Sequence, residues 1–221
     1  MAVIHQTVLK PTKLELLTSW LPSRPWYRGG TAEPRLSHAG GFRLDDPEGE
    51  VGIEFLVVTD ASGALPVSYL VPLAYRGARL DGADHALVGT MDHGVLGQRW
   101  AYDGCHDPVV VAQLLALIEG RAQAQAQNLS DTPDREVTRS CAGEAATAAG
   151  LTAVATDDLE GTDLPLGHGG ILRLHRVLRP APDSGPVLPE GAAGHVAGAW
   201  NLPDGTRVRG LFAVLRDGGA R

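Results

Sequence analysis

Lysine is almost absent from the sequence. Lys10 and Lys13 are the only two among 19 basic residues, so arginine supplies the other 17. Nothing after position 13 can therefore serve as a phosphate-clamping or Schiff-base lysine, tasks for which the planar, permanently charged guanidinium is a poor substitute. A basic excess is lacking as well. The formal charge is −7 and the isoelectric point near 5.6, which supplies no positive field for a phosphate backbone and excludes nucleic acid as an expected partner. No run of about 18 apolar residues occurs, so no membrane span is expected. The opening MAVIHQTVLK lacks the basic start and apolar centre of a signal peptide. Cys105 and Cys141 are the only cysteines. Two thiols without a secretory signal fit a reduced, cytoplasmic protein rather than a disulfide framework.

What is present suffices for a folded core. With 221 residues and 43% apolar content, the chain has room for one large domain or two small ones. A strand is expected over 2–9, followed by a helix whose start is marked by Thr12 and Glu15, a capping box. Leu14, Leu17 and Leu21 recur at helical spacing beside Trp20, and Pro22 ends the run. Residues 22–50 read as an ordered loop. Residues 51–59 and 67–75 flank the turn DASG, and the alternation Val67, Tyr69, Val71, Leu73, Tyr75 predicts a hairpin with one buried face. Pro72 within it points to an edge or a bulge. Further strands are expected near 86–91 and 98–102. The polar, low-complexity stretch RAQAQAQNLSDTPDR at 121–135 reads as a linker. It is followed by a strand at 171–178 and a hairpin turning at Pro203-Asp204-Gly205. The expected fold is thus α+β: an antiparallel sheet packed on a helix over 1–125, then a smaller, mainly antiparallel β subdomain over 126–221.

One stretch concentrates chemistry. RWAYDGCHDPVVVAQLLALIEG, residues 99–120, places Asp103, Cys105, His106 and Asp107 within five positions. Asp107 followed by Pro108 matches an N-cap with proline at the first helical position, and Gly120 fits the C-cap. Asp107 thereby has a complete structural task. Asp103 and His106 fall in the tight turn before the helix and remain candidate ligand contacts. No H-x-x-x-H, H-E-x-x-H or C-x-x-C spacing supplies further metal ligands, so neither a metal nor a cofactor is expected. Arg24, Trp26, Tyr27 and Arg28 combine aromatic faces with forked donors, which suits sugars or carboxylates if the aromatics are not simply core. His5, His85 and His93 fall in strands expected to share a sheet with Glu54. A buried His–Glu pair in the cavity of a curved sheet would be a general acid–base candidate, with ordinary strand histidines as the plainer reading. GHGG at 167–170 leads into a strand and reads as a turn rather than a phosphate loop.

Three segments carry a family resemblance. SWLPSRPWYRGG (19–30) is similar to the W-L-x-x-R-W-[FY]-x-G-K segment of maltokinases. YDGCHDPVVVAQLLALIEG (102–120) resembles their Y-D-A-x-x-D-P helix start, and GGILRLHRVLRPAPDSG (169–185) resembles their l-K-l-[FY]-R-r-l-x-p-G-x-N-P strand. The resemblance implies an N-terminal cap, a cystatin-like antiparallel sheet on a helix, followed by part of a kinase N-lobe. It also exposes departures. Arg173 stands where the family's phosphate-contacting Lys is implied, and Glu144-Ala145-Ala146-Thr147-Ala148-Ala149 stands where an E-Q-S-N-T-S nucleotide loop is implied. The H-G-D-type catalytic loop and the Mg²⁺-binding Asp have no counterpart. Phosphoryl transfer needs base, metal ligands and cationic clamp together, so the chain by itself is not expected to be a kinase. The expected role is a non-catalytic, stand-alone binding or accessory module in α-glucan, trehalose or amino-sugar metabolism. It would take a small carbohydrate, an acidic metabolite or another protein chain as partner, and a homo-oligomer is compatible. Two alternatives stay open: a small-molecule-binding protein or enzyme using the cavity of the curved sheet, and a regulatory subunit of a separate catalytic chain.

Overall fold

Thr12 starts the first helix as its sequence dictates. Its hydroxyl accepts from the Glu15 amide at 3.2 Å, while the Glu15 carboxylate accepts from the Thr12 amide at 2.7 Å. The computed structural model describes residues 9–129, 131–142, 154–167, 169–182 and 185–216. From Thr12, α1 (Lys13–Trp20) runs into a 3₁₀ turn at Leu21–Ser23 holding Pro22. Of the strand expected over 2–9, only its end falls within the described residues, in β1 (Leu9–Lys10); His5 lies outside them. Next come β2 (Leu36–Leu44), β3 (Gly52–Asp60), β4 (Val67–Arg76), β5 (Leu87–His93), β6 (Gly97–Asp103) and α2 (Pro108–Glu119). The second half contributes β7 (Thr138–Cys141), β8 (Thr156–Asp157), β9 (Gly161–Pro165), β10 (Ile171–His175), β11 (Ala192–Asn201) and β12 (Arg207–Arg216). The class is α+β, as the sequence pattern implies. Among the described residues no helix is long and apolar enough to cross a membrane.

The pairings between strands are antiparallel, in the order β1-β5-β6-β4-β3-β2-β11-β12-β10-β9-β8, with β7 beside the first half of β11. The two halves of the chain meet at two seams. One is the bridge between Gly40 of β2 and Trp200 of β11. The other lies just after β10, where the Leu70 amide donates to the Arg176 carbonyl and the Leu178 amide to the Ser68 carbonyl, both at 2.9 Å. This second seam explains Pro72. The Leu70 N–H points away from β3, and two residues on Pro72 turns its missing donor the same way. It falls between residues 176–178 and the start of the β6 ladder at Leu73, where no ladder bond is lost.

The hairpin of β3 and β4 is buried on both faces, not on one as the alternation suggests. Ile53, Phe55, Val57, Leu70 and Ala74 face the larger core with α2, Leu172, Trp200 and Phe212. Leu56, Val58, Tyr69, Val71 and Leu73 face a smaller core with Leu17, Trp20, Leu21 and Trp26. A strand covered on each side reads as a near-continuous apolar run, which is what FLVV and YLVPLA are. The same logic holds for α2, where Val110, Val111 and every residue from Leu114 to Ile118 are buried, as an all-round apolar helix requires. The helix ends at Gly120, whose φ of 82° is the left-handed C-cap position that favours glycine.

Gln125 and Ala126, in the stretch that reads as a linker by composition, dock against β2. Arg43 and Gln125 exchange backbone hydrogen bonds of 2.9 Å in both directions, and Arg43 Nε donates to the Ala126 carbonyl. Composition misses this because the docking uses backbone groups.

Candidate functional site

Asp107 lies where the sequence places it, as the N-cap of α2, its side chain accepting from the Val109 amide at 2.9 Å. It also receives a forked ion pair from Arg76, Nε at 2.6 Å and an Nη2 contact at 2.9 Å. Fully buried, its carboxylate would be costly without these donors. Asp103, one turn earlier, is held by a second arginine. Arg176 donates through Nη2 to both Asp103 oxygens, at 2.7 and 2.6 Å, and through Nε to Thr162 Oγ1 at 2.7 Å. Its guanidinium lies 5.0 Å from the centre of the Trp26 ring. Asp103 in turn accepts from the Cys105 amide at 3.1 Å, which fixes the 3₁₀ turn Gly104–His106. Gly104 is required there, because a Cβ would meet Val110 Cγ1 at 2.8 Å and Pro72 Cβ at 3.0 Å.

That turn presents His106 to His85, which sits on another 3₁₀ turn, Asp84–Ala86. His85 Nε2 and His106 Nδ1 are 3.1 Å apart, with the rings nearly perpendicular at 88°. Both line a pocket of about 400 Å³ whose walls include Leu80, Asp81, Ala83, Cys105, Val111 and Ala155. Burial holds the His106 imidazole below its ordinary value, with Asp103 pulling the other way. Burial also pushes the Cys105 thiol far up, so it stays protonated and behaves as wall rather than nucleophile. Among the described residues no lysine or arginine lines the pocket.

A second polar cluster surrounds Glu54. This buried carboxylate receives Lys13 Nζ at 2.9 and 2.7 Å, the Tyr75 hydroxyl at 2.7 Å and the Gln127 amide at 3.1 Å. Burial works to raise Glu54, but the charge and hydrogen bond of Lys13, with Tyr75, hold it below the usual carboxylate range. Burial pushes the Tyr75 phenol well up. His38 is among the groups that hold Glu54 down, while His85 meets His106. His93 instead accepts from the Val95 and Leu96 amides in the β5–β6 hairpin.

The aromatic and arginine set divides along its length. Trp26 is fully buried in the smaller core. The Tyr27 hydroxyl donates to Asp60 at 2.7 Å, and burial followed by that bond pushes the phenol up to about 12. The Arg28 guanidinium pairs with Glu160, and Arg24 lies 4.8 Å from the Trp20 ring centre. Arg28 is exposed and Arg24 and Tyr27 are half-buried, whereas Trp20 and Trp26 are buried, so neither indole face opens to solvent here. Arg173 is committed as well, to Asp158 at 2.8 Å and Asp163 at 2.9 Å. The nucleotide-loop counterpart, 144–149, lies outside the described residues.

Sequence reasoning singled out Asp103, His106 and His85 but did not place the two histidines together. It missed Arg76, Lys13 and Arg176. Arg176 carried a signal: Leu172, Leu174, Arg176 and Leu178 alternate onto one apolar face, and a charge at such a position asks for a buried partner.

Residues 20–107 match the family model described as the maltokinase N-terminal cap domain. That stretch, similar to the maltokinase N-terminal cap domain, spans β2 to β6, the two 3₁₀ turns that bear His85 and His106, and the Asp107 cap. No curated protein matches the chain.

Proposed function

We propose that this cap-like module is non-catalytic and acts as a binding or accessory module, with the pocket beside His85 and His106 as its working surface. Its setting is α-glucan, trehalose or amino-sugar metabolism, and its ligand is a small carbohydrate or related metabolite. The reading rests on one observation above all. Arg173, at the position where a phosphate-contacting lysine is implied, is tied to two aspartates, and Lys13 is tied to Glu54. A cationic clamp already neutralised by carboxylates offers little to a transferring phosphoryl group. The pocket supports the binding half of the reading, since a concave, mainly apolar wall with a few convergent polar groups is the usual form of a small-molecule site.

The test is a coupled ADP-release assay on the purified chain with Mg-ATP and maltose, trehalose or glucosamine. The expected result is no turnover above the enzyme-free background. Sugar-dependent ADP release, abolished by Arg173→Ala, would overturn the non-catalytic reading. A protein partner is the second reading, favoured by the exposed Val154, Leu159 and Val187, at 77%, 70% and 75% of their full accessibility. Co-purification of a defined catalytic chain would favour it.

A further inference from the structure

We propose that His85 and His106 form an open two-nitrogen chelate for a first-row divalent metal ion of the zinc class, at the wall of the pocket. The inference uses the same pocket as the proposed function but does not depend on which organic molecule that pocket takes.

The geometry suits the ion. With metal–nitrogen bonds of about 2.0–2.1 Å, nitrogens 3.1 Å apart subtend roughly 100° at the metal, between the octahedral and tetrahedral angles. The two nitrogens converge from separate 3₁₀ turns, and neither ring is stacked on the other. In the hydrogen-bonded pair one ring donates to the other; when that ring takes its other tautomer, with the N–H on its far nitrogen, both facing lone pairs are free to hold a divalent ion. Asp81 lines the pocket, as does Asp107, which is paired with Arg76, and among the described residues no lysine or arginine does. The Asp103–Arg176 pair fixes the turn that carries His106, a supporting arrangement of the kind that orients metal ligands.

Among the described residues no group of three or more His, Cys, Asp or Glu side chains converges on one point. The ion would thus keep two or more positions for water or for an oxygen ligand entering the pocket, which is the arrangement of open rather than structural sites.

The experiment is equilibrium dialysis of EDTA-stripped chain against zinc chloride alone at pH 7.5, with metal quantified in the protein chamber. Isothermal titration gives the affinity. The wild-type chain should take up one equivalent. His85→Ala and His106→Ala should each lose that equivalent, with circular dichroism unchanged, while His195→Ala, on β11, should retain it. Absence of a stoichiometric equivalent in the wild type, or its retention in both pocket variants, would overturn the proposal. Neither result bears on ADP release or on sugar binding.

Discussion

The pairing of Arg176 with Asp103 is the deepest electrostatic contact in the described structure, and its removal has a calculable consequence. The two side chains are 0% and 2% exposed. Arg176→Met would leave the Asp103 carboxylate with the Cys105 amide as its remaining donor, leave Thr162 Oγ1 without the Nε–H, and take the cation from the face of Trp26. Breaking one partner of a buried pair costs about 3–5 kcal/mol, because the other charge stays buried without compensation. A domain has about 5–15 kcal/mol in total, so the variant should remain folded but be far less stable. At this chain length each kcal/mol moves Tm by roughly 2–4 °C, which gives a drop on the order of 6–20 °C. Urea unfolding followed by tryptophan fluorescence reads the loss directly, since Trp26 adjoins the pair. The double variant Arg176→Met with Asp103→Asn removes both charges and keeps an acceptor for the Cys105 amide. It should recover most of the loss, because neutral replacement of a buried pair is often nearly free. A single variant costing under about 1 kcal/mol, or a double variant no better than the single, would refute the assignment of the pair as a buried, mutually dependent unit.

Three further outcomes follow from the same contacts. Burial lowers His106, His175 and His195 from their ordinary value near 6.5. The unfolded chain therefore takes up protons below that pH while the folded chain resists, so the stability is full above pH 6.5 and declines below it. The urea midpoint should be lower at pH 5.5 than at pH 7.5, and a flat or rising midpoint would contradict the burial of these rings. Glu54, held below its ordinary 4.5 against the pull of burial, contributes stability that is present above that pH and is lost as the pH falls through its lower folded value. Lys13→Met should flatten the acid limb, because Glu54 is then no longer held down, and cost about 3 kcal/mol near neutrality, discounted for the part-exposed lysine. Cys105, with its thiol raised by burial, should resist maleimide in the native chain and react only after unfolding, as peptide mapping would show.

The fold was readable wherever a local rule acts alone. Thr12 and Glu15 announce their capping box, Asp107, Pro108 and Gly120 bracket α2, and the turn at Pro203-Asp204-Gly205 joins β11 to β12. What could not be read depends on residues far apart in the chain. Nothing near Tyr69 says that Val177 will bridge to it, so the hairpin's second buried face and the harmless placement of Pro72 were invisible. The pocket follows the same division. Asp103, His106 and His85 could be named from their types and positions, but the meeting of two histidines 21 positions apart is set by the register of β5 on β6, which carries a bulge between Leu87 and Gly89. Trp26 went the other way. Its neighbouring arginines suggested a ligand face, whereas an aromatic of this size gains more by burial beside Trp20 and Tyr69.

The central claim, a binding module working through the pocket beside His85 and His106, is tested most directly by a thermal-shift screen. The purified chain is compared with an Ala155→Phe variant, whose added ring fills the pocket from its wall. The panel is maltose, trehalose, glucosamine, several acidic metabolites and Mg-ATP. A ligand at 100 times its dissociation constant adds about 2.7 kcal/mol, or roughly 5–10 °C at this chain length. The account predicts such a shift with a sugar or related metabolite, lost in Ala155→Phe, and none with Mg-ATP. A shift with Mg-ATP, or a sugar shift that survives the filled pocket, would contradict it.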